Sequence, residues 1–131
     1  MIIAFLRHIQ NSYMNHYCGY VGVKDSSMLP RSFDASTFED IENDPEYDYL
    51  DNSIQIHGGI TFDGVFPQET PIIPLTDIPE DWYTYHIYGF DLNHINDEEN
   101  GISTNFDYAK EQALSMKKQM EELIQHLKNG K

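Results

Sequence analysis

From Phe106 to Leu127 the apolar residues Phe106, Ala109, Ala113, Met116, Met120, Leu123 and Leu127 recur at alternating steps of three and four. That spacing holds side chains on one face of an α-helix. Thr104 with Asp107 three residues on gives a capping-box-like start. Asp107 and Glu111 suit the positive end, and Lys128 before Gly130 suits the negative end and a glycine stop. The spacing predicts a helix over 105–129. A helix with a single apolar stripe needs a surface to cover, and the residues before it read as strands. The stripe is also compatible with a short coiled-coil seam, which would make a homo-oligomer.

Met1–Leu6 is a short apolar run, and Tyr17–Val23 alternates aromatic or branched residues with glycine, both read as strands. Ile54 and Ile56 alternate with polar residues, Gly58–Gly59 interrupts, and Ile60–Phe62 resumes, as in a hairpin or bulged strand. Asp63–Gly64 is a turn signal. Four prolines between Pro67 and Pro79 exclude a helix or central strand and leave an ordered loop or edge crossing. Trp82–Asp91 has a period of two and the densest aromatic content, and is expected to be the central strand. The expected fold is α+β: one domain over 1–131, with an antiparallel sheet of about four to five strands covered on one face by the C-terminal amphipathic helix.

At 131 residues with 40% hydrophobic content, the chain can bury a core of its own. Its formal charge is −14, which opposes direct nucleic-acid binding through a basic face and docking on an anionic membrane. The excess is uneven: nine acids lie between Asp25 and Asp51 with only Arg31 against them. This acidic excursion, 25–52, reads as a solvated surface segment or as a nucleic-acid mimic that blocks a DNA-binding host protein. Its interleaved Phe33, Phe38, Ile41, Tyr47, Tyr49 and Leu50 imply partial packing. The start, MIIAFLRHIQNSY, has neither a basic opening nor a small-residue cleavage pattern, and no run reaches membrane-span length. The single Cys18 has no partner thiol, which fits a reducing compartment, and the expected location is cytoplasmic.

Two segments combine glycine, histidine and aspartate. In His57-Gly58-Gly59-Ile60-Thr61-Phe62-Asp63-Gly64, adjacent glycines can present backbone N–H groups to a ligand or simply make a tight turn. In Gly89-Phe90-Asp91-Leu92-Asn93-His94-Ile95-Asn96-Asp97, two carboxylates and an imidazole recur every third residue after a buried strand. They suit ligand binding, an Asp91-oriented His94 acting as a base, a structural cap, or a metal with His57 as a further ligand. Cys18 reads as a buried inert thiol. Tyr20 is an aromatic near both segments. The candidate ligand-binding set is therefore Tyr20, His57, Gly58, Gly59, Thr61, Asp91, His94 and Asp97. No catalytic signature, resident metal or cofactor is expected.

At Cys18-Gly19-Tyr20-Val21, His57-Gly58-Gly59-Ile60-Thr61-Phe62 and Gly89-Phe90-Asp91 followed by His94 and Asp97, the chain resembles a family of small uncharacterised phage and prophage proteins. Leu92 and Ile95 stand where that family tends to carry a cysteine and a small residue. The resemblance implies a viral origin, the host cytoplasm and a shared site. By analogy with small phage accessory proteins it also implies a counter-defence role. The function expected is a protein that binds and sequesters a small polar ligand, a nucleotide-derived immune signal, without catalysis. The alternatives are a metal-dependent hydrolase on His57, Asp91, His94 and Asp97, and the acidic decoy.

Overall fold

The computed structural model describes residues 1–130; Lys131, the end of the expected domain, lies outside them. The first two strands, β1 (Ile2–Gln10) and β2 (Asn15–Val23), form a hairpin in register from Ile2↔Val23 to Gln10↔Asn15. Its turn is closed by Asn11, whose side-chain Oδ1 accepts from the amides of Tyr13 and Met14 at 2.8 and 2.9 Å. Three shorter strands complete the sheet: β3 (Phe62–Gly64), β4 (Ile73–Pro74) and β5 (His86–Asp91). The spatial order is β3-β5-β2-β1-β4, and every pairing is antiparallel. Proline is tolerated in β4 because that strand is an edge.

Helix α2 (Phe106–Asn129) lies across one face. Its buried Ala109, Ala113, Met116 and Met120 pack with Leu6, Val21, Val23, Tyr88 and Phe90 of the sheet. The fold is thus an antiparallel five-stranded sheet with one long C-terminal helix, the expected α+β arrangement. The middle of the stripe found in the sequence, Ala109, Ala113, Met116 and Met120, is buried; Leu123 and Leu127 are half-buried and Phe106 is exposed. The cap differs: Asn105, not Thr104, is the N-cap residue and accepts from the Tyr108 amide at 2.9 Å.

Several local expectations are corrected. The second sheet face is not open, because a second core of Ile3, Phe5, Cys18, Tyr20 and Ile87 is covered by Trp82 and Tyr85 from the long crossing before β5. Aromatic density therefore marked a cover as well as a strand: Trp82–Thr84 is a turn of 3-10 helix and only His86–Asp91 is strand. The central strand is β2. Residues 54–57 form no strand; they run along α2, where Gln119 accepts from the Gln55 amide at 2.7 Å and donates to its carbonyl at 2.9 Å. Asp63–Gly64 belongs to β3 and is not a turn.

Two glycines set how closely β2 and β5 can carry rings. Gly19 faces Phe90 and Gly89 faces Tyr20 in register. A Cβ on either glycine would overlap the ring opposite. Each ring therefore lies over bare backbone, one on each face of the sheet.

The acidic excursion is partly ordered. It contains the short helix α1 (Phe38–Asn43), capped by Thr37 in a capping box with Asp40, and a 3-10 turn at Leu50–Asn52. Leu50 is fully buried in the helix-side core. Arg31 lies over the ring of Tyr47, 4.0 Å from its centroid. The segment thus packs mainly through Leu50 and the half-buried Tyr47 and Tyr49, while Phe33 and Phe38 are exposed. No helix among the described residues is long and apolar enough to cross a membrane.

Candidate functional site

The two histidine segments meet. Gly58 and Gly59 both have positive φ, 71° and 78°, which is why a glycine pair turns the chain here. The Gly59 amide is spent on the Ile56 carbonyl at 3.0 Å, so the pair forms a tight turn and not a set of consecutive free N–H groups. The turn places the His94 ring against Gly58, where any Cβ would overlap it. The His57 and His94 ring centroids lie 5.6 Å apart.

Asp97 ties the segments together. His57 Nε2 lies 2.9 Å from both Asp97 carboxylate oxygens, and the His94 amide donates to Oδ2 at 2.9 Å. The other His57 nitrogen, Nδ1, is 3.0 Å from the Tyr108 hydroxyl, and the His57 amide donates to Gln112 Oε1 at 2.9 Å. With Nε2 carrying the proton toward the carboxylate, Nδ1 accepts from Tyr108. Burial pushes the Asp97 carboxyl up. The hydrogen bonds from His57 and from the His94 amide, with the attraction of either histidine whenever it is protonated, outweigh it and leave the carboxyl below its ordinary value. His57, Gly58 and Asp97 therefore form a closed knot that docks the 91–105 loop on α2.

The open space lies beside this knot, on the sheet face opposite α2. There a cavity of about 450 Å³ is lined by His16, Cys18 and Tyr20 of β2, by Thr61 and Phe62, and by Asp91, Asn93 and His94 at the end of β5. Register explains the convergence: Cys18 pairs with Asp91 and Tyr20 with Gly89, so alternate residues of β2 and the last residue of β5 share a face. Four of the eight expected site residues, Tyr20, Thr61, Asp91 and His94, line this cavity. His57, Gly58, Gly59 and Asp97 do not.

Asp91 is held at both oxygens. Oδ1 accepts from the Asn93 amide at 3.0 Å and Oδ2 from the Thr61 hydroxyl at 3.1 Å, while His94 Nε2 stands 3.5 Å from Oδ1. Each carboxylate oxygen retains accepting capacity. Beyond Thr61, Phe62 stacks on Phe66 with centroids 4.7 Å apart, and Tyr20 meets Phe62 edge-on at 5.9 Å.

His16 was not singled out by its sequence position. It is 5% exposed, and its Nδ1 is buried without a partner, as is His94 Nε2. Burial lowers the His16 pKa against the opposing charge of Asp91, with a smaller lowering from His8, so the ring is kept neutral. The available signal was the alternation of His16, Cys18 and Tyr20 on one strand face. The Cys18 thiol is pushed up by burial, with Asp91 adding to the rise and a Tyr20 hydrogen bond and Arg7 opposing it. It stays protonated, the opposite of an activated nucleophile.

A second histidine network, also outside the expected set, anchors the acidic segment. His86 Nδ1 lies 2.9 Å from Ser26 Oγ and its Nε2 bonds Asp63 Oδ1, while Ser32 Oγ donates to Asp63 Oδ2 at 2.5 Å. Burial raises the Asp63 carboxyl, but the hydrogen bonds from His86 and Ser32 dominate and leave it lowered.

Among the described residues, no three or more His, Cys, Asp or Glu side chains form a group able to hold a metal ion. The expected alternative set is divided: Asp97 is turned to His57, and Asp91 to Thr61 and Asn93 on the cavity side. No family model, no curated protein and no solved structure matches the chain.

Proposed function

We propose that the protein binds a small polar ligand in the cavity at the end of β2 and β5 and holds it without chemical change. The observation that carries this reading is the cavity itself: about 450 Å³, in the range of small-molecule sites, with Asp91, Thr61, His16 and His94 set among aromatic residues. A few placed polar groups in an aromatic pocket favour orientation and selectivity. The protonated, buried Cys18 supports binding over thiol chemistry. The resemblance to phage proteins makes sequestration of a host nucleotide-derived signal, in the host cytoplasm, the first biological role to test.

The location differs from the one expected from sequence. The space between the His57-Gly58-Gly59 turn and the 91–97 loop is filled by their own hydrogen bonds, and the ligand is placed on the other side of Asp91. Calorimetric titration against nucleosides, nucleotides, cyclic dinucleotides and ADP-ribose tests the reading. Saturable heat with at least one compound, reduced in Thr61→Val, is expected, with the compound recovered intact after denaturation. Heats equal to buffer dilution across the panel would overturn it, and a converted compound would replace binding with turnover.

A further inference from the structure

We infer that the cavity selects a planar group bearing adjacent N–H donors, the edge shared by a guanine base and a guanidinium ion, and that Asp91 is the group that reads it. This rests on the cavity being a ligand site and adds the chemical class of what enters it.

The acceptor comes first. Asp91 ends β5 on the cavity wall, and its two oxygens are fixed in direction by Thr61 and Asn93. A carboxylate clamped in this way presents its remaining lone pairs as a parallel pair of acceptors, the geometry that matches two N–H groups on one planar carbon. No Lys or Arg side chain lines the cavity. Arg7, in register with Cys18, instead holds its guanidinium over Phe66, 5.1 Å from the ring centroid. A phosphate seated at Asp91 would meet a like charge in a chain of charge −14, and the nearest guanidinium, Arg7, acts on Cys18 and Tyr20 without itself lining the cavity. The donor-bearing face of a ligand, neutral or cationic, meets no such penalty.

The surroundings fit the same class. Phe62 and Tyr20 line the same cavity as the carboxylate, their rings perpendicular with centroids 5.9 Å apart, an aromatic setting that suits a flat heterocycle or a delocalised cation. His16 is held neutral and adds no repulsion toward a cation.

The test is calorimetry on the full chain with guanosine, inosine, adenosine and agmatine. Inosine lacks only the 2-amino group of guanosine, so it removes one of the two N–H donors without any mutation. The expected result is saturable binding of guanosine, agmatine or both, with inosine and adenosine at least tenfold weaker than guanosine where guanosine binds. Asp91→Asn, checked for an unchanged melting profile, should lose at least tenfold for whichever compound binds. Guanosine without agmatine assigns a base, and agmatine without guanosine assigns a guanidinium ion. Inosine or adenosine binding as tightly as guanosine would overturn the inference and leave the cavity reading standing. So would silence from guanosine and agmatine while another compound of the wider panel binds. Silence from every compound would overturn both.

Discussion

The His57 imidazole sits 2.9 Å from both carboxylate oxygens of Asp97, and this pair joins two loops separated by 40 residues. Because Asp97 also accepts from the His94 amide, removing its charge leaves two donors poorly matched. Asp97→Asn is expected to destabilise the fold by about 1–3 kcal/mol, the usual cost of spoiling buried charge-assisted hydrogen bonds. The urea midpoint should fall with an unchanged slope. An unchanged midpoint would show that the knot contributes nothing to stability.

The glycine pair makes a contrast within one turn. Both residues have positive φ, but only Gly58 has a neighbour within reach of a Cβ, the His94 ring. Gly59→Ala should cost about 1 kcal/mol through backbone strain alone. Gly58→Ala adds a steric overlap and should cost distinctly more, because His94 must leave its place. Thermal melts of the two variants compare them directly, and equal losses would mean that the His94 contact is not rigid.

The two histidine segments show what was and was not legible in the sequence. Local signals survived: the three-and-four stripe marked the α2 face that packs on the sheet, and glycine, histidine and aspartate drew attention to segments that do converge. Side-of-sheet information was missing. Whether Cys18 and Asp91 face one space depends on strand register, and their pairing is made across 73 residues that no local pattern encodes. The expected site was therefore divided in two, with Asp97 in the knot and Asp91 in the cavity wall. His16 was missed for the same reason, since only the fold turns a polar residue beside a hairpin turn into a buried imidazole. Trp82 misled through propensity: aromatic residues favour strands, yet here the ring covers the second face of the sheet.

Acid should act in two windows. The folded pKa of His16 lies below its ordinary value, so the unfolded chain takes up the proton first as pH falls below about 6.5. The stability that this group contributes is present above that pH and drains as pH falls toward the lowered folded value. Asp63 and Asp97 also have lowered values, and their contribution is present above about pH 3.9 and lost as pH falls through their folded pKa. Unfolding free energies measured from pH 7 to 5 should decline less in His16→Gln than in the parent chain. Parallel slopes for the two proteins would remove His16 as the cause of the first window.

The helix-side core yields a prediction independent of any ligand. Met116 and Met120 are fully buried against the sheet, and truncating either leaves a void that the surrounding side chains fill only in part. Met120→Ala is expected to cost about 2–5 kcal/mol, a large share of the stability of a domain this size. Loss of this order should appear in the urea midpoint. A loss below about 1 kcal/mol would mean that α2 is only loosely seated.

Asp63 has a different kind of effect, local and not global. It lies on the short edge strand β3 and receives Ser32 and His86, and His86 in turn meets Ser26, so one carboxylate holds the acidic segment near its start. Downstream anchoring rests on Leu50 in the core and on the Leu50 amide donating to the Arg31 carbonyl at 3.0 Å. Between these points α1 buries none of its residues, so the segment is the place where opening costs least. Asp63→Ala breaks the first anchor without touching the β1–β2 hairpin or α2. Limited proteolysis should then cut within 25–51 at least tenfold faster, the change that about 1.4 kcal/mol of lost local stability produces. Hydrogen exchange in β2 should stay nearly unchanged. Cleavage at the parental rate would show that the Asp63 anchor does not secure the segment, and faster exchange throughout the sheet would show that Asp63 supports the whole fold.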